Sequence, residues 1–463
     1  MPTFPGIGAS EVIDWAASYT GALMVKGTGT AYTFTGTSAT GISDVDYPGL
    51  TTRGLQYLDG TFYVLEPDGT VRNSVGAGDD PTDWPTDGFI NAQFEPDSGQ
   101  FLAKVLNYIV ALGQWTTELF WNAGNPTGSP LSPVSNGVLL IGCASPNSVA
   151  QTESTIVWMA QRKAQNSTSH KGRFIAMLVG TSYEELSTPD VCRVLEASDL
   201  SFVRSCIMEI GGHSWYALTL GDLGITLVFD MKNKAWYVWT RLAAGTPVTL
   251  QGLGQVRGLA TGTATGGHGL QDGDPAVISG ATPAGYNGTF NLSVGTSTAA
   301  FTYPVSTSLA GTATTTSTML LTPYTESSFD MIASLGYNEE QVVMDSSGNV
   351  YLLDLGTALD DGSIPINWRI RTRNIDDGNS DRKFAHGLAL VGDVAPSETT
   401  GLLRCSDNDY QSWGYFRRFD LSQVRNDSHR WGYYIRRAWE FRYTGNLRWR
   451  LRALDPENTQ GVT

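Results

Sequence analysis

The chain reads as all-β: a β-propeller of about six blades, interrupted by a small inserted β domain and followed by a β-sandwich-like unit of antiparallel strands. Three observations predict this. A strand-pair unit recurs along the chain, a Gly/Thr-rich stretch of different composition separates two copies, and the C-terminal segment alternates strictly between apolar and polar residues. The clearest unit is LQYLDGTFYVLEPDGTV at 55–71. Its two apolar runs flank Asp59-Gly60, and Pro67-Asp68-Gly69 follows the second run. Asp-Gly between apolar runs marks a tight hairpin, because both residues tolerate the positive φ that the turn demands. Looser copies lie at 22–36, 107–122, 155–177, 214–240 and 341–355. With 247–318 set aside, the copies recur at roughly 40–50 residues, the spacing of propeller blades.

These units place the first part of the propeller at 1–246 and its last part at 319–364. Between them, 247–318 is rich in Gly, Thr, Ser and Ala, and its only charged side chains are Arg257, Asp272 and Asp274. PAVISG (275–280), GTFNLSV (288–294) and AAFTYPV (299–305) read there as short strands. Regular apolar spacing favours a small inserted β domain over a disordered linker. STPDVCRVLEASDLS (187–201) carries an N-cap hydroxyl, a Pro in first helical position and early acidic residues, so it predicts a short helix on a connection.

Residues 365–463 form the C-terminal Arg/aromatic β domain. Within 430–443, Trp431, Tyr433, Ile435, Trp439, Phe441 and Tyr443 fall on one face, and Arg430, Arg436, Glu440 and Arg442 on the other. Leu447, Trp449, Leu451 and Ala453 then alternate with Arg448, Arg450 and Arg452. Period two of this kind predicts antiparallel strands with one buried face and one wet face. Arg437 interrupts the apolar face, which points to a bulge or to an ion pair with an inward carboxylate.

The chain carries a net charge of −15, unevenly spread. Residues 365–455 hold 16 Lys and Arg against 11 Asp and Glu, or +5, which leaves 14 against 34, or −20, for the remainder. An acidic chain is soluble and repels nucleic acid, while its one basic end suits an acidic partner. No apolar run approaches 18 residues, so no transmembrane helix is expected, and the opening MPTFPGIGASEVIDW lacks the basic region and apolar core of a signal peptide. Cys143, Cys192, Cys206 and Cys405 are widely spaced and predict reduced, buried thiols rather than a metal site.

Catalytic signals are sparse. His170, His213, His268, His386 and His429 stand neither at metal-ligand spacing nor beside a nucleophile elbow. The acidic pairs Asp79/Asp80, Glu184/Glu185, Asp360/Asp361 and Asp376/Asp377 have the residue types of a glycosidase, but all lie in turn-like contexts where solvated acids are the rule. The turns at 67–69, 97–99 and 345–348 resemble Asp-box turns of sialidase propellers without their full spelling. Asp272-Gly273-Asp274 lacks the further oxygens that calcium needs and reads as a turn. No Gly-rich loop joins a strand to a helix in the manner of a phosphate site. The sequence therefore predicts no enzyme, no cofactor and no metal. The candidate functional residues are Arg417, Arg418, Arg430, Arg436, Arg442, Arg448, Arg450 and Arg452. Their alternation away from the aromatics favours a subunit interface over DNA contact or a plain solvated face.

Several stretches, in order, resemble the packaged-DNA stabilisation or tail-nozzle proteins of P22-like short-tailed bacteriophages: DPTDWPTDGFINAQFEPDSG (80–99), LNYIVALGQWTTELFWNAGNPTGSPLSPV (106–134), GCASPNSVAQTESTIVWMAQ (142–161), LVFDMKNKAWYVWT (227–240) and RCSDNDYQSWGYFRRFDLSQVR (404–425). The resemblance implies a propeller-containing subunit of a hexameric ring in the virion tail, assembled in the host cytoplasm. The ring would sit below the portal and its head-to-tail adaptor, extend the DNA channel, help retain and deliver DNA, and hold a needle, plug or fibre distally. The segment GHGLQDGDPAVISGATPAGYNGTFNL (267–292) separately resembles a small β module of phage structural proteins. The family's role is architectural and transfers no site residues. The competing readings are a sialidase-like or glycan-binding tail propeller and a DNA-binding module.

Overall fold

The computed structural model describes residues 12–35, 38–75, 79–164, 170–309, 311–314, 318–337, 340–354, 356, 359–360, 364–376, 378–396, 399–424, 426–445, 447 and 449–460. The chain divides into two compact units, 1–239 with 329–353, and 240–328 with 354–463.

The first unit is a series of antiparallel meanders in chain order, the architecture of a β-propeller. The first sheet comprises Asp14–Ala17, Leu23–Lys26, Ala31–Thr35 and Ser38–Gly41. The second comprises Leu55–Leu58, Thr61–Leu65, Thr70–Asn73 and Phe89–Asn91, and the third Gly99–Val105, Tyr108–Gly113, Thr117–Asn122 and Leu131–Leu139. The fourth is built around Ile156–Lys163 and His170–Val179, the fifth around Val203–Ile210, His213–Leu220 and Ile225–Asp230. The sixth has three strands, Met331–Tyr337, Glu340–Asp345 and Val350–Leu353. The expected hairpin at 55–65 is present, with Asp59 at φ 48 and Gly60 at φ 88 joining its strands.

Each inner sheet buries both faces against its neighbours. Strand Thr61–Leu65 is buried at every position. Phe62 and Val64 pack toward Met24 and Ala31 of the first sheet, while Tyr63 and Leu65 pack toward Leu102, Ile109 and Phe120 of the third. Val110 and Leu112 of the third meet Trp158, Ala160 and Phe174 of the fourth. Val157 and Met159 turn the other way, toward Tyr216, Leu218 and Phe229 of the fifth. Cys206, Met208 and Val228 then meet Met331 and Val343 of the sixth. The expected helix forms over Pro189–Ala197, with the Thr188 hydroxyl accepting from Val191 N. Its Val191 and Leu195 close the core between fourth and fifth sheets.

The second unit holds two cores. The Gly/Thr-rich stretch forms the expected strands Pro275–Ser279, Gly288–Asn291 and Ala300–Pro304, together with Val248–Val256 and Leu259–Ala264. They pair with one another and with Leu320–Ser328, over a core of Leu250, Ile278, Tyr286, Phe301, Tyr303 and Leu321. The C-terminal residues form a two-sheet sandwich. A five-stranded sheet orders Leu359–Asp360, Ile364–Arg371, Ala438–Gly445, Thr400–Ser406 and Arg417–Asp420. A three-stranded sheet orders Asn426–Tyr434, Lys383–Gly392 and Leu451–Gln460. Leu388, Leu403, Trp431, Trp439, Phe441 and Trp449 fill the space between them.

The strict alternation expected over 430–453 is corrected at three places. Tyr433 and Ile435 are exposed, at 66% and 52%, while Tyr434 is buried. Arg430 and Gly432 take φ 64 and φ 76, and the partner strand shifts register at Ala385/Gly387, so the parity of the strand reverses after Trp431. A second shift at Val391/Gly392 accompanies an exposed Ala453. Strand Ala438–Gly445 has no wet face, being buried from Ala438 to Thr444.

Successive propeller sheets come into close backbone contact where one of them lacks a side chain. A Cβ on Gly142 would lie 2.2 Å from Gln114 C and O and 2.3 Å from Trp115 N. Those are backbone atoms of the preceding blade's connection, with no rotamer to relax. Gly142→Ala should therefore destabilise the propeller by about 1–3 kcal/mol or more, read as a lower urea midpoint. Unchanged unfolding would show that the fourth sheet is free to shift away.

Candidate interface on the arginine-rich sandwich

The second face of Ala438–Gly445 is buried because an ion cluster sits on it. Glu440 is fully buried and accepts from three guanidiniums: Arg371 Nε at 2.5 Å, Arg404 Nη2 at 2.9 Å and Arg442 Nε at 2.6 Å. Arg442 also reaches Asp274 Oδ1 of the inserted module at 3.3 Å. Phe416 covers the cluster, with the Arg404 and Arg442 guanidiniums 4.3 Å and 5.2 Å from its ring. Asn291 Nδ2 donates to Thr444 Oγ1 beside it. Arg442 thus stabilises the junction of module and sandwich rather than presenting a charge to solvent.

Burial acts to raise the Glu440 pKa, but Arg442, Arg371 and Arg404 outweigh it and hold the carboxyl below its ordinary value. Arg404 is shifted down, first by its own burial and also by the like charges of Arg442 and Arg371. Arg437, the break in the apolar stripe, is 2% exposed. It pairs with Asp407 at 2.6 Å and 2.8 Å, donates to Trp431 O at 2.9 Å and lies 4.2 Å from the Tyr434 ring centre. Its carboxylate partner is half exposed rather than inward.

The remaining candidate arginines separate into two groups. Arg417 stacks 3.9 Å from the Trp431 ring centre and donates to His429 O and Arg430 O. Arg418 donates to Ser293 Oγ and Thr302 O of the inserted module. Both tie local structure together. Arg430 is exposed, and Arg436 is exposed with Asp409 as partner. Arg450 and Arg452, 68% and 59% exposed, share Asp393 at 3.3 Å and 3.0 Å. Arg448 lies outside the described residues. Of the candidate arginines, the solvent-facing ones are thus Arg430, Arg436, Arg450 and Arg452, with exposed Tyr433, Ile435, Val391 and Val394 on the same sandwich. Sequence reasoning missed Arg371, Arg404 and Asp274, because strand pairing and the module's docking bring them to Glu440 from far along the chain.

Other candidate residues have local partners. Asp79 accepts from the Tyr57 hydroxyl, Asp80 from Thr82, Glu184 from Lys234, Glu185 from Arg162 and Asp376 from Gly378 N. Asp361 and Asp377 lie outside the described residues. Asp97 caps Trp115 N and Thr116 N, and Asp345 accepts from Ser347 N, Asn349 and the Tyr351 hydroxyl, so these turn aspartates stabilise hairpins. Asp272 caps Val294 N and Gly295 N, and no cluster of metal-ligating side chains occurs among the described residues. His213 pairs with buried Asp230 at 2.8 Å. All four cysteines are free, and the expectation of full burial is corrected for Cys192 and Cys405, which are partly exposed. Burial pushes the Cys143 thiol up to about 12 and the Cys206 thiol to about 11. No helix among the described residues is long and apolar enough to cross a membrane.

Charge divides with the two units. The propeller unit contains 12 Lys and Arg against 27 Asp and Glu, or −15, and the second unit 18 against 18. The family described as "Bacteriophage P22 Gp10, beta-propeller" matches residues 4–260, most of the propeller sheets. The chain belongs to this family. It is a structural phage protein of the P22-like packaged-DNA stabilisation type. No curated protein sequence matches it. Among solved structures, Saccharomyces cerevisiae Sqt1 aligns with 76% of this chain and 84% of its own, at 11% identity and a TM-score of 0.38. BamB from Moraxella catarrhalis aligns with 73% and 95%, at 10% identity and 0.33. At such scores neither adds to the family assignment.

Removing the Glu440 charge strands two largely buried guanidiniums, Arg404 and Arg442, and takes a partner from the half-exposed Arg371. Glu440→Gln should cost about 3–5 kcal/mol at neutral pH. Since the folded carboxyl titrates below its unfolded value, its contribution is present above the unfolded pKa and lost as pH falls through the folded one. The gap between wild type and Glu440→Gln in urea melts should therefore narrow on acidification. A constant gap would assign the loss to geometry rather than charge.

Proposed function

We propose that this phage structural protein is a subunit of the tail nozzle ring. It attaches below the portal and its adaptor, extends the DNA channel, and helps retain and then deliver the packaged DNA. The observation that carries the proposal is the charge division: the propeller unit holds the whole net charge of −15, while the second unit is balanced. A channel for DNA must pass phosphate without gripping it. Carboxylates in excess repel the duplex over about a Debye length, roughly 8 Å at physiological ionic strength. Repeated around a ring of six copies, this excess gives a lumen through which DNA slides.

The balanced unit is suited to protein contact. Arg450 and Arg452 lie exposed beside Val391 and Val394, and arginine among exposed apolar residues is the composition of an interface. Its partners in this reading are neighbouring copies, the adaptor above, and a needle, plug or fibre protein below. Membrane contact and sequence-specific DNA binding have no part in it.

Arg450→Glu combined with Arg452→Glu should leave the circular dichroism spectrum and melting unchanged, since each side chain meets one half-exposed carboxylate. Ring assembly or adaptor docking should weaken, with strong salt dependence, as seen by sedimentation alone and with the adaptor. Normal assembly and docking would assign both arginines to solvent. Loss of DNA retention with assembly intact would favour a nucleic-acid role.

A further inference from the structure

The junction between the inserted module and the sandwich contains a cleft of about 290 Å³, close to the small end of ligand-binding cavities. Thr289, Phe290 and Asn291 line it from the module, and Thr400, Tyr443 and Thr444 from the sandwich. None of its lining residues is charged, although the Glu440 cluster is close along the same strand.

Asn291 is 8% exposed and held by two donated bonds, from Nδ2 to Gly273 O and to Thr444 Oγ1, each 3.0 Å. Thr444 Oγ1 donates onward to Asn367 Oδ1 at 2.8 Å. These bonds set the amide's orientation and leave Asn291 Oδ1 with no donor among the described residues. Asn291 lines the cleft, and this acceptor can take a hydrogen bond from a ligand hydroxyl. The Thr289 and Thr400 hydroxyls likewise make no side-chain hydrogen bond among the described residues, and each is able both to donate and to accept. The Phe290 ring packs 4.5 Å from that of Tyr303, so an aromatic surface stands rigidly next to the hydroxyls.

Uncharged groups that both donate and accept, beside aromatic rings, complement a molecule carrying many hydroxyls and an apolar C–H face. A phosphate or carboxylate would lose hydration here with no cation to replace it. We propose that this cleft binds an uncharged saccharide, over about one or two sugar rings. It is a site on the second unit, independent of the nozzle reading and of any activity in the propeller.

The test uses the full chain. Saturation-transfer NMR and calorimetry are run with uncharged trisaccharides of glucose, mannose and N-acetylglucosamine, and with sialyllactose as the charged control. At least one uncharged trisaccharide should bind at about 10 mM or tighter. Thr400→Val and Thr289→Val, which keep side-chain shape, should each weaken it about fivefold or more, the worth of one hydrogen bond, with melting unchanged. If one variant misfolds, the other decides. Failure of every uncharged trisaccharide to bind, binding indifferent to both substitutions, or preference for sialyllactose would overturn the proposal. None of these results bears on ring assembly.

Discussion

A β-sheet with two apolar faces has no stable existence in water until another sheet covers each face. That constraint organises the propeller unit. Alternate residues of one strand serve two different cores: Phe62 and Val64 belong to the layer below, Tyr63 and Leu65 to the layer above. Every inner sheet is therefore held between the two sheets that cover it, and in this chain those are its neighbours in sequence. Long apolar runs such as Ile156–Ala160, buried throughout, are a direct result. Where apolar side chains would hold two sheets too far apart, glycine brings the backbones together, as at Gly142 against Gln114.

The second unit meets the same demand by different means. One face of Ala438–Gly445 packs Trp439, Phe441 and Tyr443 into the sandwich core. The opposite face carries Glu440 and Arg442, and it too is covered. Charges enter such a place only in a compensated group. Glu440 meets three arginines, and Asp274 of the inserted module meets Arg442, so docking of the module adds a second carboxylate to the group. The module is thereby joined to the sandwich through specific polar contacts at Asp274, Asn291 and Ser293, each with a partner on the C-terminal strands.

Much of this was legible in the residues. Asp59-Gly60 announced a hairpin because positive φ is chemically restricted to few residue types, and Thr188-Pro189 announced a helix start because cap chemistry is local. The short strands of the inserted module were visible for the same reason. What stayed hidden depended on distant partners. A period-two pattern tells which residues share a face, but not that a second domain covers the polar one, so Glu440 and Arg442 read as solvent-facing. Nor does the pattern register the reversal after Trp431, where positive φ at Arg430 and Gly432 turns Tyr434 inward and Tyr433 outward. Of the arginine positions singled out, the exposed group consists of those whose local alternation is not overwritten by the module or by aromatic stacking.

The charge division gives the assembly its physical logic. In the nozzle we propose, net negative charge concentrated on the propeller would keep DNA mobile, while the balanced arginine-bearing unit would make the protein contacts. The most direct measurement is a cryo-EM reconstruction of the protein assembled with its adaptor and portal. The account predicts a closed six-fold ring with a channel wide enough for duplex DNA, lined predominantly by propeller carboxylates. A channel lined by the sandwich arginines, or a protein bound as isolated monomers on the outside of the tail, would contradict it.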